Sequence, residues 1–229
     1  MYPTSWKGDL DSIGERMGIS ADSILMVWFN DDEGEGHCPK FLLFLDHKVN
    51  SLVLAVRGRF IIKDAILDAV CDEVPFLDGF AHKGILVGAQ RIITKVQDHI
   101  VSSLAEHPGY KLVVTGHSLG AGTAELITLD LMLGRYSNLL PPGTAVSCSA
   151  LAAPPVYRSQ SVLPPSVTNA IEIYINNYDC IPRLSLGSIA HLLACMRVVD
   201  SLGLTLTEQL SILADRSDEN VQNNVSRLM

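Results

Sequence analysis

The pentapeptide Gly116-His117-Ser118-Leu119-Gly120 constrains this chain more than any other stretch of its sequence. Before it, residues 111–115 (KLVVT) form a short apolar run with β-branched side chains. After it, residues 119–133 are rich in Ala and Leu and suit a helix. A serine at such a strand-to-helix turn is forced into strained backbone angles, so its neighbours must be small. Gly116, Gly120 and Gly122 supply that room. The turn also presents the Ser118 hydroxyl at a helix N-terminus, where free N–H groups and the helix dipole favour a developing negative charge. A bare G-x-S-x-G is common; the strand before it and the helix after it make it read as a nucleophile elbow. The plainer reading is a glycine-rich turn without chemistry. His117 is expected to point away from the hydroxyl and to pack.

Elsewhere, strand-like runs alternate with helical periodicity. Residues 24–29, 41–46 and 51–57 read as strands, with the acidic, glycine-containing stretch 30–40 as a turn. Residues 64–71 and 84–106 read as helices; in the second, Ile85, Ala89, Ile92, Ile93, Val96, Ile100 and Leu104 recur at helical spacing. Residues 145–153 and 170–176 read as further strands, and 186–199 and 205–214 as helices. The run 74–80 (VPFLDGF) admits two readings, ordinary core contact or a mobile cover over a site. Alternation of this kind predicts an α/β fold with a mostly parallel central sheet flanked by helices. With the elbow, the expectation is an α/β-hydrolase fold whose C-terminal part is incomplete. A single domain is expected over 1–229, with a polar tail at 215–229 that frays.

Charge and composition exclude several roles. The formal net charge is −8 and Lys and Arg form no cluster, which argues against nucleic acid as a partner. Adsorption to an anionic membrane by charge alone is disfavoured for the same reason. With 48% hydrophobic and 18% charged residues, the chain has apolar side chains to place on a substrate surface. No run approaches the roughly 20 apolar residues of a membrane-spanning helix, and the opening MYPTSWKGDL has neither region of a secretory signal. Cys38, Cys71, Cys148, Cys180 and Cys195 are scattered without CxxC spacing. That suits reduced thiols in the cytoplasm and offers no zinc motif. Neither a metal nor a cofactor is expected.

An elbow serine needs a base and an orienting carboxylate, in the order Ser, Asp, His along the chain. Asp179 is the best acid, because it follows the apolar run 170–175 and so falls at a strand's end. Its plainer reading is an aspartate making a turn before Pro182. These stretches resemble the class 3 lipase family, and within it the diacylglycerol lipases more than the secreted fungal enzymes. The matching residues are Val53-Leu54-Ala55-Val56-Arg57-Gly58 with Asp64 and Asp68, then His82-Lys83-Gly84, then 116–122, then 179–184 (DCIPRL). The resemblance implies Ser118 as nucleophile, Asp179 as triad acid, and the backbone N–H groups of Arg59 and Leu119 as the oxyanion hole. It further implies that Arg57, Asp64 and His82 support the elbow through hydrogen bonds and ion pairs. Arg59 departs from the family, which usually has Thr or Ser there; the main-chain donor survives the change.

The larger departure concerns the base. The family places its histidine well downstream of the acid, whereas here only His191 follows Asp179, at 191 − 179 = 12 positions. It lies among Ala190, Leu192 and Leu193, in a run that reads as an apolar helix. His37, His47, His82, His99, His107 and His117 all precede Ser118. Three readings stay open: the base lies beyond Met229, His191 or another residue replaces it, or the scaffold does not turn over. The expected function is therefore a serine hydrolase of acylglycerol-type lipid esters, with peripheral contact to a membrane or lipid droplet. The alternative is a catalytically silent module that binds a lipid or a protein.

Overall fold

The computed structural model describes residues 14–16, 18–29, 38–58, 73–184 and individual residues between 188 and 208. The expected helix at 64–71, most of the acidic turn and the tail at 215–229 lie outside the described residues. Two compact units divide after Leu184. In the first, the chain forms β1 (Ile24–Trp28), β2 (Phe41–Asp46), β3 (Ser51–Val56), β4 (Glu73–Phe76) and β5 (Gly79–His82). There follow α1 (Lys83–Glu106), β6 (Lys111–His117), α2 (Leu119–Leu133), β7 (Val146–Leu151), β8 (Tyr157–Ser159), the one-turn α3 (Pro165–Thr168) and β9 (Ile171–Tyr174).

Among the described residues, six strands form one sheet in the order β1-β2-β3-β6-β7-β9. β1, β2 and β3 make an antiparallel meander; β3, β6, β7 and β9 are parallel. Strand periodicity sorts β2 between two cores. Phe41, Leu43 and Leu45 join the main core with Leu52 and Leu54, while Leu42 and Phe44 meet Ile24 and Val27 on the other face. The stripe expected on α1 is present, since Ile85, Ala89, Ile92, Ile93, Val96, Ile100 and Leu104 are all buried. α2 packs on β6, β7 and α1 and is buried almost all round, as a helix with apolar residues on every face must be.

The run 74–80 is a hairpin, β4 turning into β5 through Leu77 and Asp78, and β8 completes a small antiparallel sheet. Pro75 obscures this in the sequence, because proline demotes a strand; it is tolerated on β4, an edge strand. Phe76 is buried in the main core and meets Tyr157 edge-on at 5.8 Å. Asp78 clamps the hairpin turn to β8. Hydroxyls of Ser161, Tyr157 and Ser159 donate to its carboxylate and lower its pKa to about 2.

Of the second unit, described residues at 188, 191, 194–197, 201, 207 and 208 are helical. Thr205 and Glu208 form a capping box: the Thr205 N–H donates to Glu208 Oε2 at 2.9 Å, and the Glu208 N–H donates to Thr205 Oγ1 at 3.4 Å.

One polar group in the first unit's interior has a consequence for stability. Glu125 rides on α2, its Oε1 has no hydrogen-bond partner, and desolvation pushes its carboxyl up to about 7. Between the ordinary glutamate value and about 7, the unfolded chain ionises this group while the native state holds its proton. Stability is therefore expected to fall as pH rises through that window, with the loss complete above about 7. Its size is on the order of 3 kcal/mol, from the roughly 1.4 kcal/mol per pKa unit. Denaturant unfolding at pH 5 and pH 8 checks this, with Glu125→Gln expected to flatten the difference.

Candidate active site

β6 ends at His117, and Ser118 turns the chain directly into α2 with φ 55° and ψ −126°. No L-residue adopts these angles without strain, which costs of order 1–3 kcal/mol. They persist because the surroundings over-determine them. The Ser118 N–H donates to the Leu151 carbonyl at the end of β7, at 2.9 Å. The Ser118 carbonyl accepts from Ala121 and Gly122, at 2.9 and 3.2 Å. The serine is 7% exposed, and its side chain makes no capping hydrogen bond to the helix. A serine at an N-cap position ordinarily bonds the helix's own N–H groups; this one leaves its hydroxyl available to something else.

The three glycines expected around the elbow are required sterically. A Cβ on Gly116 would lie 2.4 Å from the Gly120 backbone, and one on Gly120 would lie 2.4 Å from the Val56 carbonyl oxygen. On Gly122 it would meet Val156 Cγ1 at 2.5 Å. Gly58 belongs with them, because its Cβ would stand 2.2 Å from the His117 carbonyl oxygen. The end of β3 and the elbow thus touch backbone to backbone. Leu119 opens α2, where the first N–H groups have no acceptor within the helix.

The C-terminal ends of β6, β7 and β9 are in register, His117 opposite Leu151 and Leu151 opposite Tyr174. Ser118 and the loop carrying Asp179 therefore leave the same edge of the sheet, two strand spacings or about 10 Å apart at their roots. Asp179 is half-buried, and its Oδ1 accepts the Ile181 N–H at 2.9 Å, opening the 3-10 turn Ile181–Arg183. Arg183 donates to the carbonyls of Asp179 and Asn177, which braces the loop. The aspartate makes the turn that its plainer reading required, and the same turn fixes its carboxylate in place.

Other expected residues are more dispersed. His82 caps α1, its Nδ1 accepting the Ile85 N–H at 3.4 Å, and its own N–H donates to Val156. Arg57 is exposed and donates its backbone N–H to Lys40. Arg59 and Asp64 lie outside the described residues. His117 is exposed, directed away from the core. His191 belongs to the second unit, where its Nε2 lies 4.0 Å from Cys195 Sγ. Sequence reasoning did not find the Leu151 carbonyl that anchors the elbow, since a backbone acceptor leaves no mark in residue identity.

The model of Lipase (class 3) matches residues 53–189, a span that begins in β3 and holds the elbow and Asp179. The chain belongs to the class 3 lipase family. Mouse diacylglycerol lipase-beta is 31% identical over 79% of this chain and 26% of its own length. Human diacylglycerol lipase-alpha is 28% identical over 65% and 15%, respectively. The secreted mono- and diacylglycerol lipase A of Penicillium camembertii is 33% identical over 38% of this chain and 30% of its own. This lipase-family chain thus spans about a quarter of the mouse relative it matches. Among solved structures, a Penicillium cyclopium lipase mutant gives a TM-score of 0.58 at 23% identity, over 72% of this chain and 59% of that one. The Rhizopus microsporus lipase gives 0.59 at 19%, over 72% and 57%. These neighbours show the α/β-hydrolase fold. Among the described residues, no helix is long and apolar enough to cross a membrane.

The strain at Ser118 predicts an unusual ordering of stabilities. Glycine tolerates these backbone angles, whereas alanine keeps the strain. Ser118→Gly is expected to be more stable than Ser118→Ala by about 1 kcal/mol, measured by denaturant unfolding.

Proposed function

We propose that this chain is a carboxylic-ester hydrolase of acylglycerol-type lipids that works through an acyl-enzyme on Ser118. The observation that carries the reading is the strained, uncapped serine at the mouth of a buried helix. Its hydroxyl makes no hydrogen bond to the helix that follows it. In the proposed cycle, Ser118 Oγ attacks the ester carbonyl as an imidazole base takes its proton. The oxyanion is held by the N–H of Leu119, with Arg59 supplying the second donor. The C–O bond to the glycerol moiety breaks, and the alcohol leaves with the proton from the base. Water, activated by the same base, then attacks the acyl-enzyme; the fatty acid departs and the serine is regenerated. Asp179 orients and stabilises the imidazolium of that base.

Family membership and the names of the mouse, human and Penicillium relatives support acylglycerols as the substrate class. Leu151 at the end of β7, Ile173 and Tyr174 at the end of β9, and Ile175 and Tyr178 between β9 and Asp179, are exposed, which supports peripheral contact with a membrane or lipid droplet. The second reading is a lipid-binding module without turnover. It is favoured by one observation: among the described residues, no imidazole hydrogen-bonds Ser118.

Release of oleate from dioleoylglycerol separates the two readings. The hydrolase reading predicts turnover that Ser118→Ala abolishes and that Asp179→Asn lowers about 10³–10⁴-fold. His191, the one histidine that follows Asp179 in the sequence, is tested in the same assay as His191→Ala. Full activity in His191→Ala would remove that residue as the base. Binding of the lipid without oleate release by the folded wild-type protein would establish the silent module.

A further inference from the structure

At the end of the parallel strands opposite Ser118, two turns bring an imidazole pair together. His47 lies in the turn that joins β2 to β3, and His107 is the C-cap residue of α1. Tyr110 stands between α1 and β6. The backbone here is well tied. Lys111 donates to Asn50 at 3.1 Å, Tyr110 donates to His107 at 3.1 Å, and the His107 N–H donates to Ser103 at 3.0 Å. The rings of His47 and His107 have centres 5.7 Å apart and are tilted by 44°.

The second nitrogens of these rings point to a use. His107 Nδ1 lies 2.9 Å from the Ser103 carbonyl oxygen. A carbonyl only accepts, so Nδ1 carries the proton and Nε2 keeps its lone pair. His47 Nδ1 lies 2.8 Å from Tyr110 Oη; in the tautomer that donates from Nδ1 to that oxygen, Nε2 is free to ligate. A ring whose Nδ1–H is held by a carbonyl or hydroxyl is the arrangement in which a histidine ligates a metal. Two imidazoles sharing one zinc, with Zn–N of about 2.0–2.1 Å, have ring centres roughly 5–6 Å apart. The pair already has that spacing.

We propose that His47 and His107 form a binding site for a divalent, imidazole-preferring cation of the zinc, nickel or copper class, with Tyr110 and the Ser103 carbonyl orienting the two rings. Among the described residues, no group of three or more His, Cys, Asp and Glu side chains could hold a metal. The cation therefore keeps water in its remaining positions and exchanges readily. Bound there, it staples the β2–β3 turn to the α1–β6 turn and so braces the strands that carry the elbow at their far ends. The separation of 60 positions between the two histidines (107 − 47) explains why no spacing motif announces the site.

The test titrates Zn²⁺ into the protein carrying Cys180→Ser and Cys195→Ser, because both thiols are exposed and would compete. Long-range ¹H–¹⁵N spectra of the histidine rings are the readout. The proposal predicts that the Nε2 signals of His47 and His107 move together and saturate at one equivalent, while the thermal midpoint rises. His107→Ala and His47→Gln are each expected to abolish both effects, and Tyr110→Phe to weaken binding about tenfold. His47 sits on an exposed turn, so its variant keeps the test valid should His107→Ala fail to fold. Unmoved His47 and His107 signals at millimolar Zn²⁺ would overturn the site, as would saturable binding that survives His47→Gln.

Discussion

The contact on which this fold depends is between two pieces of backbone. The elbow around Ser118 rests directly on the end of β3, with Gly58 and Gly120 at the points where a Cβ would stand 2.2 and 2.4 Å from a carbonyl oxygen. Close approach lets the β6–α2 turn be as tight as it is. The tight turn in turn forces Ser118 to φ 55°, and the hydrogen bond to Leu151 holds it there. Strain of this kind survives only where neighbouring structure leaves no easier conformation. The sheet, the buried α2 and the stripe on α1 supply that surrounding rigidity.

This arrangement sets the candidate residues apart from the rigid sheet. Ser118 and Asp179 lie just beyond the ends of parallel strands, in segments whose backbones are braced by hydrogen bonds to carbonyl groups. An open parallel sheet characteristically places ligands and reacting groups at this edge. The packing behind them is less than optimal for stability, because half-buried Glu125 has one buried oxygen, Oε1, with no hydrogen-bond partner. An unpaired buried carboxyl is among the costlier features a core can contain. Its protonation near neutral pH makes the scaffold sensitive to proton concentration.

Much of this was legible in the sequence because the decisive signals are local. The strand, the glycines and the helix around Ser118 adjoin one another, so each supports the reading of the next. The α1 stripe is equally plain, since a core-facing helix repeats its apolar residues every three or four positions. The hairpin β4–β5 was harder to see, because Pro75 and the three-residue β8 carry weak strand signals, and only pairing between distant segments makes them a sheet. Asp179 was legible as a residue beyond a strand's end, and the turn it makes with Ile181 was legible as its plainer reading. What sequence did not provide is whatever depends on long-range backbone contact: the Leu151 anchor, the need for Gly58, and the absence of a capping bond at Ser118. The histidine belongs to the same class of problem, because a base is defined by its distance from the serine and not by its neighbours in the chain.

The central claim is that Ser118 is an activated nucleophile. Incubation of the native protein with a fluorophosphonate, followed by mass spectrometry of the digested chain, tests it without any assumption about the lipid. One covalent adduct on Ser118 is expected, absent from Ser118→Ala and abolished by prior unfolding. A folded protein that acquires no adduct at Ser118 would contradict it, and the elbow would then be a strained turn that binds without reacting.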